Sequence, residues 1–340
     1  MLITYMRSSS YNNYDYCQMQ YFITYVLGHR SDSGKKAEMG TIVHKTMEIL
    51  SGLKKFQQDN PKRKYLEITD DMANKVKIHK DKVLTDDFVD DLSQISYDAY
   101  TSVSKHHWTR GDLKTTKTLA MKILEYNDGQ FDPRFRNIVD TEPHFDIPIE
   151  EDWAKYEQKL PDGKILDGQL AIKGTIDLVT RVDNDTIEVI DWKTGRRLDW
   201  ATGEEKTYEK LRKDAQLLLY NYAISKMYPD YKQAIMTIFY VKDGGPFSMC
   251  FDSKDQKNFL EMLKTRFEEV KQNSVPQPLS QDRNHWKCTK LCHFCKNKWP
   301  GTNDNMCIHI EKQLKTHGMD KTITECTQPG FSLGHYEAPG

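Results

Sequence analysis

Along the chain the spacing of apolar positions changes several times, and each change marks an element. In "SSSYNNYDYCQMQYFITYVLG", Tyr14, Cys17, Tyr21 and Tyr25 recur at three and four residues, which is one face of a helix. Serines precede this helix and Gly28 follows it, as caps would. "GTIVHKTMEILSG" predicts a second, short helix from about Thr41 to Leu50, with Gly52 just past its end. Residues 66–125 are polar and helix-like, with charges throughout, and read as a helical insertion. The period then shortens. "TEPHFDIPI" reads as a strand, and "LAIKGTIDLVTRV" and "TIEVIDWKTG" as a hairpin around the turn "DND". A helix ("KTYEKLRKDAQLLLYNYAISKMY"), a strand ("QAIMTIFYVKD") and a Ser-capped amphipathic helix ("SKDQKNFLEMLKTRFEEVKQ") come next. A hairpin, then a crossover helix and a further strand, predicts an α/β (α+β) fold on a mixed sheet. The Pro-rich linker "SVPQPLSQ" leads to a cysteine cluster, and residues 311–340 are expected to form a mobile tail.

Composition narrows the classes. The 340 residues are 38% hydrophobic and 29% charged, which is globular and rather polar, with enough chain for a real core. A net charge of -1 excludes a global basic field, so contact with nucleic acid has to come from local clusters. No apolar run reaches the length of a membrane span, and the first residues have neither the charged start nor the apolar stretch of a secretory signal. Four of the seven cysteines crowd into Cys288–Cys307. In a chain read this way, that favours metal ligation or free thiols in a reducing, cytoplasmic setting over disulfides.

The chemistry begins with an oddity in the hairpin. Folding it about Asn184 sets Asp177 opposite Asp191, inside two apolar runs. Carboxylates that close repel by about 3 kcal/mol at an effective dielectric near 20. A divalent cation between them reverses the sign, and hard oxygen ligands suit Mg²⁺ or Mn²⁺. Lys193, two residues after Asp191, shares its face and can stabilise charge developing on a phosphate. Gly174 permits close approach within the strand. A merely hydrated polar face is the competing reading of the two aspartates, and Lys193 tips the balance to a site.

"GTID" followed by "DWK" resembles the PD-(D/E)XK nuclease superfamily, and most closely its RecB-like branch, which includes the RecB and AddB nuclease domains, CRISPR-associated RecB-like nucleases and phage exonucleases. The resemblance implies a restriction-endonuclease-like core in a single domain over residues 1–310. It implies metal ligands at Asp177, Asp191 and the Trp192 carbonyl, and a catalytic lysine at Lys193. The "Q-x-x-x-Y" of Gln216 and Tyr220 matches the helix that lines the DNA site in this branch. "G-x-x-x-H-x-x-x-E" makes His44 a further metal ligand, supported by Glu48, and Glu142 matches an acidic position upstream of the hairpin. The activity that the resemblance implies is that of a metal-dependent deoxyribonuclease, an exonuclease by analogy with the branch. Its substrate would be single-stranded or end-containing DNA in recombination, repair or genome processing, in a bacterium or bacteriophage. The alternative is a non-catalytic nucleic-acid-binding module built on the same fold.

Two readings of the cysteine cluster stay open. Zinc could close on Cys288, Cys292, Cys295 and Cys307, or use His309. The resemblance implies instead a 4Fe–4S cluster, with Cys17 joining three of the C-terminal cysteines; the branch spacing then leaves one of Cys288 and Cys295 outside the ligand set. Residues 283–298 also carry five lysines and arginines and no acid, interleaved with Trp286 and Phe294, a pattern suited to phosphates and stacked bases. The basic residues Arg196, Arg197, Lys206, Lys210, Arg212 and Lys213 lie after the "DWK" strand, diluted by glutamates.

Overall fold

The β-branched run Thr186–Lys193 becomes the middle strand of a five-stranded sheet in the computed structural model, which describes residues 1, 3–69, 75–160, 163–199, 202–282 and 284–331. The strand order is Gly245–Cys250, Gln233–Tyr240, Thr186–Lys193, Leu178–Arg181, Asn137–Thr141. The hairpin is antiparallel and in the expected register, with Ile190 opposite Leu178 and Ile187 opposite Arg181. The next strand pairs parallel to it, after the crossover helix Ala215–Met227. Gly245–Cys250, which the apolar pattern leaves unassigned, pairs antiparallel beyond.

The mixed α/β architecture is as expected. The chain divides into two compact units of interleaved segments: one holds residues 33–144 and 175–252, the other 1–32, 145–174 and 253–340. The reason lies in two strands that break. "TEPHFDIPI" yields Asn137–Thr141 and His144–Pro148, separated at Glu142, whose φ of 47° no strand accommodates. "LAIKGTIDLVTRV" yields Ala171–Thr175 and Leu178–Arg181, separated at Ile176 and Asp177. Each run therefore serves two different sheets.

In the sheet unit, the helix Lys35–Asp59 is twice the length expected and runs straight through Gly52. Its apolar stripe explains this: Val43, Met47, Leu50 and Leu53 are all buried and share a core with Ile190, Trp192 and Phe239. Burial outweighs the roughly 1 kcal/mol that glycine costs inside a helix. The stretch 66–125 is only partly helical. It opens with the hairpin Tyr65–Thr69 and Lys75–His79, then continues as helices Asp86–Val103 and Arg110–Leu124. Leu66, Phe88, Leu92 and Ile123 join the same core, so this segment is part of the unit's interior. Across the sheet runs a polar row. Arg136 bonds Thr180 at 2.8 Å and pairs with buried Glu188, which accepts from Thr237 at 2.6 Å.

In the other unit, Tyr5–Met6, Ala171–Thr175 and His144–Pro148 form a three-stranded sheet. The helix Ser253–Gln272 buries Phe259, Leu263, Phe267 and Val270, as its amphipathic pattern requires. The N-terminal helix is interrupted. Ser8–Tyr16 ends at Cys17, whose backbone is extended, and Gln18–Tyr21 starts anew. The aromatic face survives the break, with the Tyr14 and Tyr21 rings 5.2 Å apart. Of the tail expected from residue 311, the part up to Cys326 lies in the helical segment Met306–Cys326, which is kinked at Gly318 and buries Ile310, Leu314, Ile323 and Cys326; residues 332–340 lie outside the described residues. No described helix is long and apolar enough to cross a membrane.

Candidate active site

The ladder between Thr186–Lys193 and Leu178–Arg181 ends at the Ile190–Leu178 pair. Asp177 therefore lies just outside a strand rather than within one, and this frees its side chain. Its Oδ2 accepts the Trp192 backbone N–H at 2.9 Å, satisfying a donor the ladder no longer reaches. The same oxygen stands 3.4 Å from His44 Nδ1, on the helix Lys35–Asp59. Burial alone would draw the His44 pKa down. The charge and hydrogen bond of Asp177 outweigh it and hold the imidazole protonated up to about 9.

Asp191 is almost fully buried. Its Oδ1 accepts from Lys193 Nζ at 3.0 Å and from Gln216 Nε2 at 2.8 Å. Oδ2 is buried and lies 2.8 Å from the same ammonium, so both oxygens of the carboxylate face Lys193. Burial, opposed by Lys193 and reinforced by Asp177, pushes the Asp191 carboxyl up to about 6. Lys193 is held charged the opposite way, as the two aspartates overcome its own burial. Gln216 is aimed by a relay: its amide donates to the Tyr220 hydroxyl at 2.9 Å, which donates to the Thr175 carbonyl at 2.7 Å. Asp214 caps this helix through the Gln216 N–H.

One strand, the residue just before another and two helices thus bring Asp177 with His44, and Asp191 with Lys193, Gln216 and Tyr220, close enough to feel one another's charge. Trp192 lends only main chain, because its indole is buried in the core. Glu48 does not support His44 and pairs with Lys45 at 2.9 Å instead. Glu142 donates its N–H to the Asp177 carbonyl at 3.1 Å, and its carboxyl is pushed up to about 7 by burial and by the charges of Glu48 and Asp177. A residue that motif reading passed over is Thr194. A Cβ on Gly40, one turn before His44, would fall 2.7 Å from the Thr194 hydroxyl, so glycine at that position brings the helix against the end of the strand Thr186–Lys193. The basic run after the strand is largely spent internally: Arg197 pairs with Glu205, Lys206 with Asp214 and Lys210 with Glu204, while Arg196 and Lys213 are exposed.

Among the described residues, no three His, Cys, Asp or Glu side chains stand in ready-made reach of one metal ion. The donor set nevertheless fits a divalent cation. Two carboxylates with little exposed area supply hard oxygen donors beside His44, the donor type that a divalent cation takes.

In the other unit, Cys17, Cys288, Cys292, Cys295 and Cys307 line one small cavity. The helix break at Cys17 aims its Sγ at the Gln20 and Leu279 N–H groups, 3.4 and 3.3 Å away. Burial outweighs these donors and leaves the Cys17 thiol raised. The Cys292 thiol is pushed far up by its hydrogen bond to Cys295 and by burial. Five soft sulfur donors around one cavity, two of them buried, match the chemistry of a thiolate-bound metal group.

A family model for the PD-(D/E)XK nuclease superfamily matches residues 8–299, and the chain belongs to that superfamily. Among solved structures, it is similar to one from Eubacterium rectale named "Putative exonuclease", at 11% identity and a TM-score of 0.38, covering 85% of this chain and 88% of the other. It is also similar to SSO0001, at 20% identity and a TM-score of 0.26, covering 59% and 75%. Likenesses this slight add nothing to the family assignment. No curated protein matches. Nucleases of the superfamily generally use Mg²⁺ or Mn²⁺ and act on nucleic acid.

Proposed function

We propose that the chain is a divalent-metal-dependent deoxyribonuclease of the RecB-like branch, hydrolysing phosphodiester bonds. The observation that carries this reading is the set of Asp177, buried Asp191 and Lys193, whose ammonium lies 2.8 Å from Asp191. Asp177, Asp191, His44 and the Trp192 carbonyl would hold Mg²⁺ or Mn²⁺. The bound ion supplies Lewis acidity and an activated water. Lys193 positions the nucleophile and offsets the charge growing on the phosphate. Gln216, held by Tyr220, fixes the orientation of Asp191. Asp191→Asn and Lys193→Ala are expected to lower cleavage of labelled DNA at least about a hundredfold while binding in EDTA persists. Cleavage at the unaltered rate in either variant refutes the assignment, and binding without any cleavage by the unaltered chain favours the non-catalytic module.

An exonuclease acting on single-stranded or end-containing DNA, in recombination, repair or phage genome processing in a bacterial cytoplasm, is the finer reading. It rests on the pattern "G-x-x-x-H", "GTID", "DWK" and "Q-x-x-x-Y". Circular and end-blocked substrates decide it: an exonuclease leaves both intact and degrades the linear form.

The thiol cavity is read as a 4Fe–4S site in which Cys17 joins three of Cys288, Cys292, Cys295 and Cys307, with zinc the alternative. The N–H donors on Cys17 support its place among the ligands. Anaerobic purification followed by visible absorption and metal analysis separates the two. A brown chain with about four irons, bleached in Cys17→Ser, is the expected result; a colourless chain with one zinc overturns it.

A further inference from the structure

The basic segment around Trp286 presents an open aromatic surface. Trp286 leaves 57% of its area open to solvent. Its indole lies near-parallel to the His285 imidazole, at 29° with centroids 6.2 Å apart. That imidazole is held in place, because its Nδ1 accepts the Lys287 N–H at 3.3 Å. Lys287 Nζ sits 5.8 Å from the Trp286 ring and 5.7 Å from that of Tyr16, spanning two aromatic faces. Lys290 and Leu291, one turn on, are exposed. Arg283 belongs to the same basic run and lies outside the described residues.

We propose that Trp286, backed by His285 and flanked by Lys287 and Lys290, is a stacking platform for one unpaired base of a nucleic-acid strand, with the lysines taking the adjoining phosphates. An indole face open to solvent beside fixed positive charge is what a single strand can use, since every base has a π-face and every linkage an anion. A duplex offers the same phosphates but keeps its bases stacked on one another, so it gains only the electrostatic part. The choice of nucleic acid as occupant rests on the nuclease reading; the geometry of the platform does not.

The test is fluorescence anisotropy of a labelled single-stranded oligonucleotide titrated with the full chain in EDTA, against a duplex of the same sequence. Trp286→Ala is expected to weaken single-strand binding about tenfold and duplex binding much less. Trp286→Phe, which keeps a ring, should retain most of the affinity. Lys290→Gln should reduce the salt dependence by about one phosphate contact on both substrates. Unchanged single-strand affinity in Trp286→Ala, or an equal loss on the duplex, overturns the platform. Hydrolysis of bis(para-nitrophenyl) phosphate by the unaltered chain tests the nuclease reading separately, because that small ester needs no stacked base. Hydrolysis with Trp286-independent binding sinks the platform alone; Trp286-dependent binding without hydrolysis sinks the nuclease reading alone.

Discussion

Asp191 and His44 carry opposite charges into the same network, and each is displaced from its ordinary protonation range in a way that opposes metal binding. Asp191, raised to about 6, holds a proton below that pH. His44, raised to about 9 by Asp177, holds one up to that pH. A cation needs the first ionised and the second neutral, so binding expels protons and strengthens as pH rises. Between pH 6 and 9 one proton, that of His44, is displaced, and affinity should climb about tenfold per pH unit. Below pH 6 the slope steepens as Asp191 also gives one up. Mn²⁺ titration calorimetry at several pH values reads this slope directly, and His44→Ala should flatten it above pH 6. A slope that persists in His44→Ala removes His44 from the ligand set.

The helix Lys35–Asp59 delivers His44, and its distance from the catalytic strand is set where Gly40 meets Thr194. Gly40→Ala improves helix propensity by about 1 kcal/mol but drives a methyl against a hydroxyl 2.7 Å away. The two effects on stability largely cancel, whereas the displacement of His44 does not. Cleavage should fall about tenfold or more, with little change in the unfolding midpoint. Thr194→Ala in the same chain should restore much of the activity by clearing the contact. Loss of activity that the second substitution leaves untouched would show that Gly40 does not act through this approach. The element's length, and its passage through Gly52, could not be read from the local pattern. Glycine near the end of a short apolar period looks like a cap until the core on its other side is known. Cys17 shows the converse. The three-and-four spacing around it is real, but the helix breaks there, and the Cys17 sulfur takes the Gln20 N–H that an unbroken helix would have claimed.

Two units built from interleaved segments give the molecule two separate cores, each with its own chemistry. The sheet unit depends on a charge it cannot hydrate. Glu188 is buried with Arg136 and Thr237, so Glu188→Ala leaves the guanidinium without its partner and should cost about 3 kcal/mol. Hydrogen exchange should locate that loss in residues 33–144 and 175–252 and leave the helix Ser253–Gln272 protected. Equal loosening of both units would mean that they unfold as one. The hairpin register, the Lys193 face and the helical pair Gln216 and Tyr220 were legible in the sequence, because each depends on spacing within a few residues of one turn. The division into two units, the break of the N-terminal helix at Cys17 and the close approach of Gly40 to Thr194 were decided by tertiary structure. Those contacts join residues far apart along the chain, where packing and the burial of charge choose the partner and local periodicity carries no information about it.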